Sequence, residues 1–532
     1  MPSGRWPIGT PSDKSCDCCL TTMTSPTRLY RHKPFLTTTT GRLAHESIRQ
    51  SISDDRQSLL IYCLLLSGML CTGGAFINGR PGMMLASLGT LVATYVVLVI
   101  GRMALPNSVA FVALISVYAA QIAIQLLVAL LNIQMLKHVD DFGIFDHTGA
   151  ITLSHLCLLA GSLVAAQVLS SLTDDRGSLA GDLGRKPSPR TKFYLVSALM
   201  LTVLGSVVPY ALTGIAQYLS FVLTANLEGA CFFVGWFSAD MGLVGIWCLT
   251  ALLGNALIGG LLGTRYGIVL LGLYFTGRLI SKRERSRVRV LGLAAAVLVP
   301  ALFAFSTIGH LRSSQGRGSL DLVDLSHLYT LVDSTFQAVT GNGSDEPILD
   351  SLSRLYAWPN AAAVTLTPES VPYRGFAQWL SECKSYLVIW GDSEGGKEQA
   401  LQNDTGTFHA QDYGFTSSIQ NTSEFGVVAD GWSTAGAFGV CLFAFLVALG
   451  ICGTERIIAR YRISSGGSLL MLCVLCKISM MCYVYPVPIV LRTLLITTTM
   501  WGIVIKIADV FGGKTPTPPN RLRASTSSYG VK

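Results

Sequence analysis

Charged residues are scarce in this chain of 532 residues. Asp, Glu, Lys and Arg together make up 13% of it, about half the share found in a typical soluble domain. Half of the residues are apolar, the mean hydropathy is +0.50, and the apolar residues fall into blocks of about 20, the length that a helix needs to cross a bilayer. Because lipid offers the backbone no hydrogen-bond partners, such blocks must be helical. The sequence therefore predicts an all-α polytopic membrane protein.

Several patterns that would indicate a soluble enzyme are missing. The sequence contains no phosphate-binding glycine loop, dinucleotide fingerprint, zinc-ligand spacing or Ser/His/Asp arrangement, and His310 and His409 stand alone. We predict no cofactor, no metal and no nucleic-acid partner. Most of the cysteines lie in apolar blocks, where a thiol behaves as a small hydrophobe. The N-terminal cluster of Cys16, Cys18 and Cys19 could bind a metal or carry an acyl chain, but it has no second ligand pair.

The apolar blocks predict about twelve spans. The sixth is the weakest, because Glu228 interrupts it. Nine spans fall within 59–308 and three within 435–510, as follows: 59–77, 83–100, 106–131, 151–172, 193–211, 218–237, 241–262, 267–280, 289–308, 435–453, 467–485 and 489–508.

The remaining segments are polar. Residues 1–58 are Thr/Ser-rich and lack the pattern of a cleaved signal peptide. Either they form a disordered cytoplasmic tail or the start codon was placed too early. Residues 309–434 are predicted to form one large extracytoplasmic loop, whose tryptophans and tyrosines could build a small folded cap. Residues 511–532 form a basic cytoplasmic tail.

The distribution of charge fixes the predicted orientation. The segments 173–192, 281–289 and 454–462 are rich in Lys and Arg, whereas the loop 309–434 carries 15 acidic residues and 6 basic ones. Since short cytoplasmic loops attract Lys and Arg, both termini are predicted to lie in the cytoplasm and the loop outside. Without the sixth span, the cluster 281–289 would fall outside, so the charge pattern favours counting that span.

Arginines beside spans on the outer face are candidates for binding phosphate, because the guanidinium donates two parallel hydrogen bonds and stays charged. Arg265 lies in Gly263-Thr264-Arg265-Tyr266-Gly267, between two spans, and Arg312 and Arg317 follow His310 at the start of the loop. The alternative is an arginine in a short turn or an interfacial anchor at a helix end.

The return of the loop into the membrane contains a second kind of candidate. Asp430 lies at the mouth of a span, close to Trp432 and several small residues. A carboxylate there could take a proton from a sugar hydroxyl. The alternative is an acidic residue that caps the helix or lies in its first turn, which contributes about 1 kcal/mol to the helix.

The order of these features resembles a known family. A run of spans, the turn Gly263–Gly267, a basic loop, an outer arginine and a large loop come first. They are followed by the re-entry TSSIQNTSEFGVVADGWSTAGAFGVCLFAFLVALG, residues 416–450. This arrangement is similar to the O-antigen polymerase type of bacterial oligosaccharide repeat-unit polymerase, in layout over 59–510 and in residues over these short stretches. The chain departs from the family around 381–397, which lacks a proline-rich segment, and in its N-terminal extension.

The resemblance implies a metal-independent membrane glycosyltransferase of the inner membrane. Its substrate would be an undecaprenyl pyrophosphate-linked oligosaccharide, and a chain-length regulator and a flippase are implied partners. Arg265, Arg312 and Arg317 would neutralise the pyrophosphate leaving group. Asp430, or else His310, would act as the base, and Arg317, His310 and Trp432 would contact substrate.

Three other functions remain open. The O-antigen ligase type has nearly the same layout. A transporter or flippase would favour two similar halves with broken helices, which the sequence lacks. A non-catalytic scaffold leaves the outer arginines unexplained.

Overall fold

The structure is a computed structural model, and it describes residues 38–130, 142–172, 186–205, 227–261, 266–281, 286–297, 358–387, 413, 425–461 and 464–511. Of the described chain 88% is helical, and no strand occurs in it. The predicted all-α class is confirmed. Two compact units are distinguished, 1–59 and 60–532, and the packing described below belongs to the second.

The helices follow one another with short connections wherever the described chain is continuous. We label them in chain order: α1 Thr38–Ile77, α2 Gly79–Ala104, α3 Val109–Leu130, α4 Thr148–Leu172, α5 Pro189–Gly205, α6 Gly229–Trp236, α7 Ser238–Met241, α8 Leu243–Leu261, α9 Tyr266–Ile280, α10 287–297, α11 Trp358–Leu366, α12 Gly375–Leu387, α13 Val427–Arg460, α14 Ser465–Met481 and α15 Val487–Phe511.

Six helices of the described chain are long and apolar enough to cross a membrane. They are Gln57–Ile77, Gly79–Ala104, Val109–Leu130, Ile144–Leu172, Val427–Arg460 and Val487–Val510. Shorter apolar helices cover Leu243–Ala256, Gly267–Ile280 and Gly466–Met481. The chain is therefore a membrane protein, and the count of about twelve spans stays a prediction, because the predicted spans 193–211, 218–237 and 289–308 lie partly outside the described residues.

The predicted polar segments are described in part. Helix α1 begins at Thr38, within the segment 1–58 for which disorder was predicted, and residues 1–37 lie outside the described chain. Of the predicted loop 309–434, the structure describes 358–387, Tyr413 and the end from Phe425 onward. The described cysteines are all free thiols, and Cys16, Cys18 and Cys19 are outside the described part.

Among the described helices, α4 and α13 share the most extensive contact. A methyl group on Gly161 of α4 would overlap the carbonyl oxygen of Cys441 on α13. Close approach of two backbones at a small residue is typical of helix packing in membranes, where apolar contact with lipid competes with apolar contact between helices. The Gly161 contact therefore fixes α13, the helix that carries the candidate site, against α4.

Polar contacts join segments that are distant in the chain at both ends of the bundle. Asn78, between α1 and α2, donates to the carbonyl of Asp146 over 2.5 Å and accepts from the backbone of Thr148 over 3.3 Å. Arg190 of α5 pairs with Asp509 of α15 at 2.9 Å. Each contact joins segments that the charge pattern assigns to one side of the membrane. Which side faces the cytoplasm stays a prediction.

Candidate functional site

Helix α13 is broken near its beginning. Ala435 has φ −157° and ψ 32°, and Gly436 has φ +61° and ψ −145°. A positive φ of this size is costly for residues with a side chain and open to glycine. The break separates a half-helix, residues 427–434, from the remainder, 437–460. That remainder is about 36 Å long at 1.5 Å per residue, so it can cross a bilayer by itself. The half-helix thus lies at one end of a span, the end predicted to be outer.

Asp430 lies in the half-helix and has no exposed surface. Its Oδ1 accepts from Arg374 Nη2 at 2.8 Å, and its Oδ2 accepts from the backbone of Val487 at 2.9 Å and from Trp379 Nε1 at 3.3 Å. Val487 begins α15, so Asp430 occupies the first turn of one helix and satisfies the first backbone N–H of another. The predicted role as a general base would require this carboxylate to become reachable, and it stays a prediction.

Arg374 donates hydrogen bonds to carbonyl groups at the C-terminal end of the half-helix. The break removes the helical partners of the last carbonyl groups, because the next residues no longer donate to them. The backbone N–H of Arg374 donates to the carbonyl of Ser433 at 2.9 Å. Its Nη2 donates to the carbonyl of Asp430 at 3.1 Å and to Ser433 Oγ at 2.6 Å. A cation at the C-terminal end of a helix is also favoured by the helix dipole.

The Arg374–Asp430 pair is buried on both sides. The Arg374 side chain is 6% exposed and that of Asp430 is fully enclosed. Charges withdrawn from water attract each other strongly, but each loses its hydration, so such a pair persists only where hydrogen bonds satisfy both members. Val487 and Trp379 donate such bonds to Asp430, and Ser433 accepts one from Arg374, so groups from several elements hold the pair.

Aromatic residues surround the pair. Trp379 of α12 packs on Phe443 of α13 with ring centroids 4.6 Å apart. Trp432 is buried, and its Nε1 donates to the carbonyl of Thr367 at 3.1 Å, which anchors the segment after α11. The substrate contact predicted for Trp432 stays a prediction. Tyr373 Oη would lie 3.0 Å from a methyl group on Gly436, so the break is covered by the residue that precedes Arg374.

A small cavity lies against Val428 of the half-helix. Its volume is about 10 Å³, room for about one water molecule. Asn360 accepts from the backbone of Gly426 at 2.7 Å and donates to the carbonyl of Tyr483 at 3.1 Å. The other polar residues that line the cavity are Gln121, Gln125, Ser154 and His155. Asn360 therefore joins α11 to the connection between α14 and α15 beside the cavity.

The structure describes two of the predicted site residues, Asp430 and Trp432, and both lie in the half-helix. Arg265, Arg312, Arg317 and His310 lie outside the described residues. Sequence reasoning missed Arg374 and Trp379. The signal was available for Arg374, which is one of only 6 basic residues in the acidic loop and directly precedes a glycine, as Arg317 does.

Groups of three or more metal-ligating side chains do not occur in the part of the chain that the structure describes. No family model, no curated protein and no solved structure matches the chain. A function is therefore inferred from the residues and from their geometry.

Proposed function

We propose that the chain is a membrane glycosyltransferase that joins lipid-linked oligosaccharide repeat units into a surface polysaccharide, such as O-antigen, capsule or exopolysaccharide. The reaction would take place at the outer face of a bacterial inner membrane. The observation that carries the proposal is the buried Arg374–Asp430 pair at the break of α13. The likeness of residues 416–450 to repeat-unit polymerases gives the pair its chemical context.

The break itself favours a functional site over a structural one. Non-helical backbone within a span is tolerated where it is buried in protein or lines a cavity, because lipid cannot satisfy its polar groups. A continuous helix through 435–436 would need no arginine to satisfy its carbonyl groups. The chain instead keeps the break and brings Arg374 from a large loop to close it, so the loop and the mouth of the span are coupled at this point.

The proposed reaction needs a cation and a base. The acceptor hydroxyl attacks the anomeric carbon of the donor sugar, the bond from that carbon to the pyrophosphate oxygen breaks, and the pyrophosphate leaves with the electron pair. A nearby guanidinium stabilises the charge that develops on this oxygen. Arg374 is a candidate for this role together with the predicted Arg265, Arg312 and Arg317. Asp430, or else His310, would accept the hydroxyl proton. Transfer to a lipid A-core acceptor, the ligase type, uses the same groups.

A transporter or flippase for a lipid-linked glycan is the second candidate. Broken helices at binding sites are typical of secondary transporters. Charged residues within spans often belong to ion or substrate pathways, and the described bundle contains such a pair, Lys477 with Glu228. The two candidates differ in the product that accumulates when the protein is lost.

The test is the length of surface polysaccharide in a strain that lacks the gene. A polymerase deletion leaves a single capped repeat unit, whereas loss of a flippase or a ligase removes even that unit. Complementation with Arg374→Ala should fail to restore the ladder, and Arg265→Ala and Arg312→Ala test the predicted arginines at matched expression. Arg190→Ala is the control, because it removes a cation of a half-buried ion pair at the opposite end of the bundle.

A ladder of normal length in the deletion strain would rule out the polymerase. A ladder restored by Arg374→Ala at normal membrane level would remove Arg374 from the mechanism, and the predicted arginines would then carry the proposal alone.

A further inference from the structure

A second charged pair lies inside the bundle, apart from the break of α13. Lys477 Nζ lies 2.5 Å from Glu228 Oε1. Lys477 is the one charged residue of the apolar helix α14, and Glu228 immediately precedes α6. Ionisable residues among apolar helices are costly, and they commonly mark a functional site.

The two members of the pair differ in exposure. The Glu228 side chain is 2% exposed and that of Lys477 is 24% exposed. Glu228 stands at the N-cap position of α6 but makes no side-chain cap hydrogen bond to that helix. Its carboxylate is directed to Lys477 instead. The result is a lysine with a fixed buried counter-ion and a side chain that remains partly exposed.

The pair is not needed to bring the two helices together. A methyl group on Gly229 would lie 2.7 Å from the Cα of Cys473, so the backbones of the two segments already touch there. Cys473 is one helical turn before Lys477 on α14. Apolar residues could therefore hold this contact, and the charges call for another explanation.

Lys477 lies close to the candidate site along α14. Five residues later, the carbonyl of Cys482 accepts from the backbone of Val427, the first residue of the half-helix, at 3.1 Å. Five residues of helix correspond to about 7.5 Å. Lys477 is thus about one and a half turns deeper in the bundle than the junction that holds the half-helix.

We propose that Lys477 binds the pyrophosphate group of a prenyl-linked substrate, with Glu228 orienting its ammonium group. This inference rests on the proposed function, because a prenyl-linked donor has its chain in the bilayer, its sugar outside, and its phosphates between them. Lysine binds phosphate as a point charge with three donors. With the pyrophosphate at Lys477, the half-helix and Arg374 would lie on the side of the pyrophosphate that carries the sugar.

The first experiment uses the unaltered full-length protein in nanodiscs. Acylation of Lys477 by an amine-reactive ester is followed by mass spectrometry, with and without farnesyl pyrophosphate as the probe. We expect labelling to slow at least fivefold with farnesyl pyrophosphate and to stay unchanged with farnesol. Equal protection by inorganic pyrophosphate would support an anion site and assign it to the free anion instead of the lipid carrier. Equal protection by farnesol would overturn the proposal.

Variants of the pair separate binding from folding. Lys477→Met should weaken binding of farnesyl pyrophosphate at least tenfold, whereas Lys477→Arg should stay within threefold. The double variant Lys477→Met with Glu228→Met removes both charges, a change that is often neutral for stability. It should unfold at nearly the temperature of the unaltered protein and still bind the probe weakly. Binding by the double variant at the unaltered strength would make the pair purely structural and overturn the proposal.

The two proposals can fail separately. Binding that depends on Lys477, together with a normal ladder in the deletion strain, would overturn the polymerase and leave the anion site standing. A normal ladder from Lys477→Met at matched expression, in a strain whose deletion abolishes the ladder, would overturn the role of Lys477 and leave the polymerase.

Discussion

Helix α13 carries a buried carboxylate at each end, and both accept backbone N–H groups from the start of another helix. Near its C-terminal end, Glu455 accepts from Val109 at 2.9 Å and from Ala110 at 3.3 Å, at the beginning of α3. Near its other end, Asp430 accepts from Val487 of α15 at 2.9 Å. One physical device, the capping of a neighbouring helix, is thus used twice on the same helix.

The two ends differ in what surrounds the cap. The further partner of Glu455 is the hydroxyl of Ser108, and α13 is regular there. Asp430 also pairs with Arg374, and the helix breaks five residues later. The Glu455 end has only the hydrogen bonds that a cap needs, whereas the Asp430 end adds a buried cation and a glycine with positive φ that a cap does not need. These additional features identify the Asp430 end as the candidate site.

The largest expected effect is that of Asp430→Asn. It removes the charge that compensates Arg374, and an uncompensated buried charge costs about 3–5 kcal/mol. The free energy of unfolding, measured by denaturant titration in detergent, should fall by that order. Adding Arg374→Met should recover most of the loss. If Asp430→Asn lowers the free energy of unfolding no more than Glu455→Gln does, the proposed difference between the two ends is wrong.

The next effect is that of Glu455→Ala. It leaves the first N–H groups of α3 without their acceptor, and buried unsatisfied groups cost about 1–3 kcal/mol. The free energy of unfolding should fall accordingly, while the polysaccharide ladder per folded molecule stays normal. Glu455→Gln keeps an acceptor and should cost less. A ladder shortened at a normal level of folded protein would show that this end is functional too.

A smaller effect is expected of Gly436→Ala. Backbone at φ +61° and ψ −145° is adopted almost only by glycine and costs on the order of 1–3 kcal/mol for a residue with a side chain, and the new methyl group would press on Tyr373. Gly453→Ala, on the regular part of α13 with only Leu169 nearby at 3.8 Å, is the control and should be neutral or stabilising. Thermal unfolding of both variants checks this. Equal melting temperatures for Gly436→Ala and Gly453→Ala would show that the backbone at the break accommodates a side chain without cost.

The smallest effect is expected of Arg190→Ala. Its side chain is 32% exposed and pairs with Asp509 at 2.9 Å, and ion pairs of this kind contribute about 0–1 kcal/mol. The melting temperature should change by a few degrees at most, and the ladder should remain. A loss of the ladder would weaken the contrast between a half-exposed pair at one end and the enclosed Arg374–Asp430 pair at the other.

Hydropathy located the long helices well. The predicted spans 83–100, 106–131 and 151–172 fall on α2, α3 and α4, because a run of about 20 apolar residues leaves few alternatives in a bilayer. The prediction for α13 began at 435, whereas the helix begins at Val427. Residues 427–434 contain Asp, Ser and Thr, and their burial by α11, α12 and α15 could not be read from their own hydropathy.

The sequence by itself determined that the chain is a helical membrane protein, which segments are most apolar, and that Asp430 lies at the mouth of a span. Only the tertiary structure decided what Asp430 does there, because its partners are far away in the chain: Arg374 is 56 residues before it and Val487 is 57 residues after it. Hydropathy is a local sum over neighbouring residues. A buried ion pair depends instead on which distant donors the packing of helices brings within 3 Å, and on the water that this packing excludes.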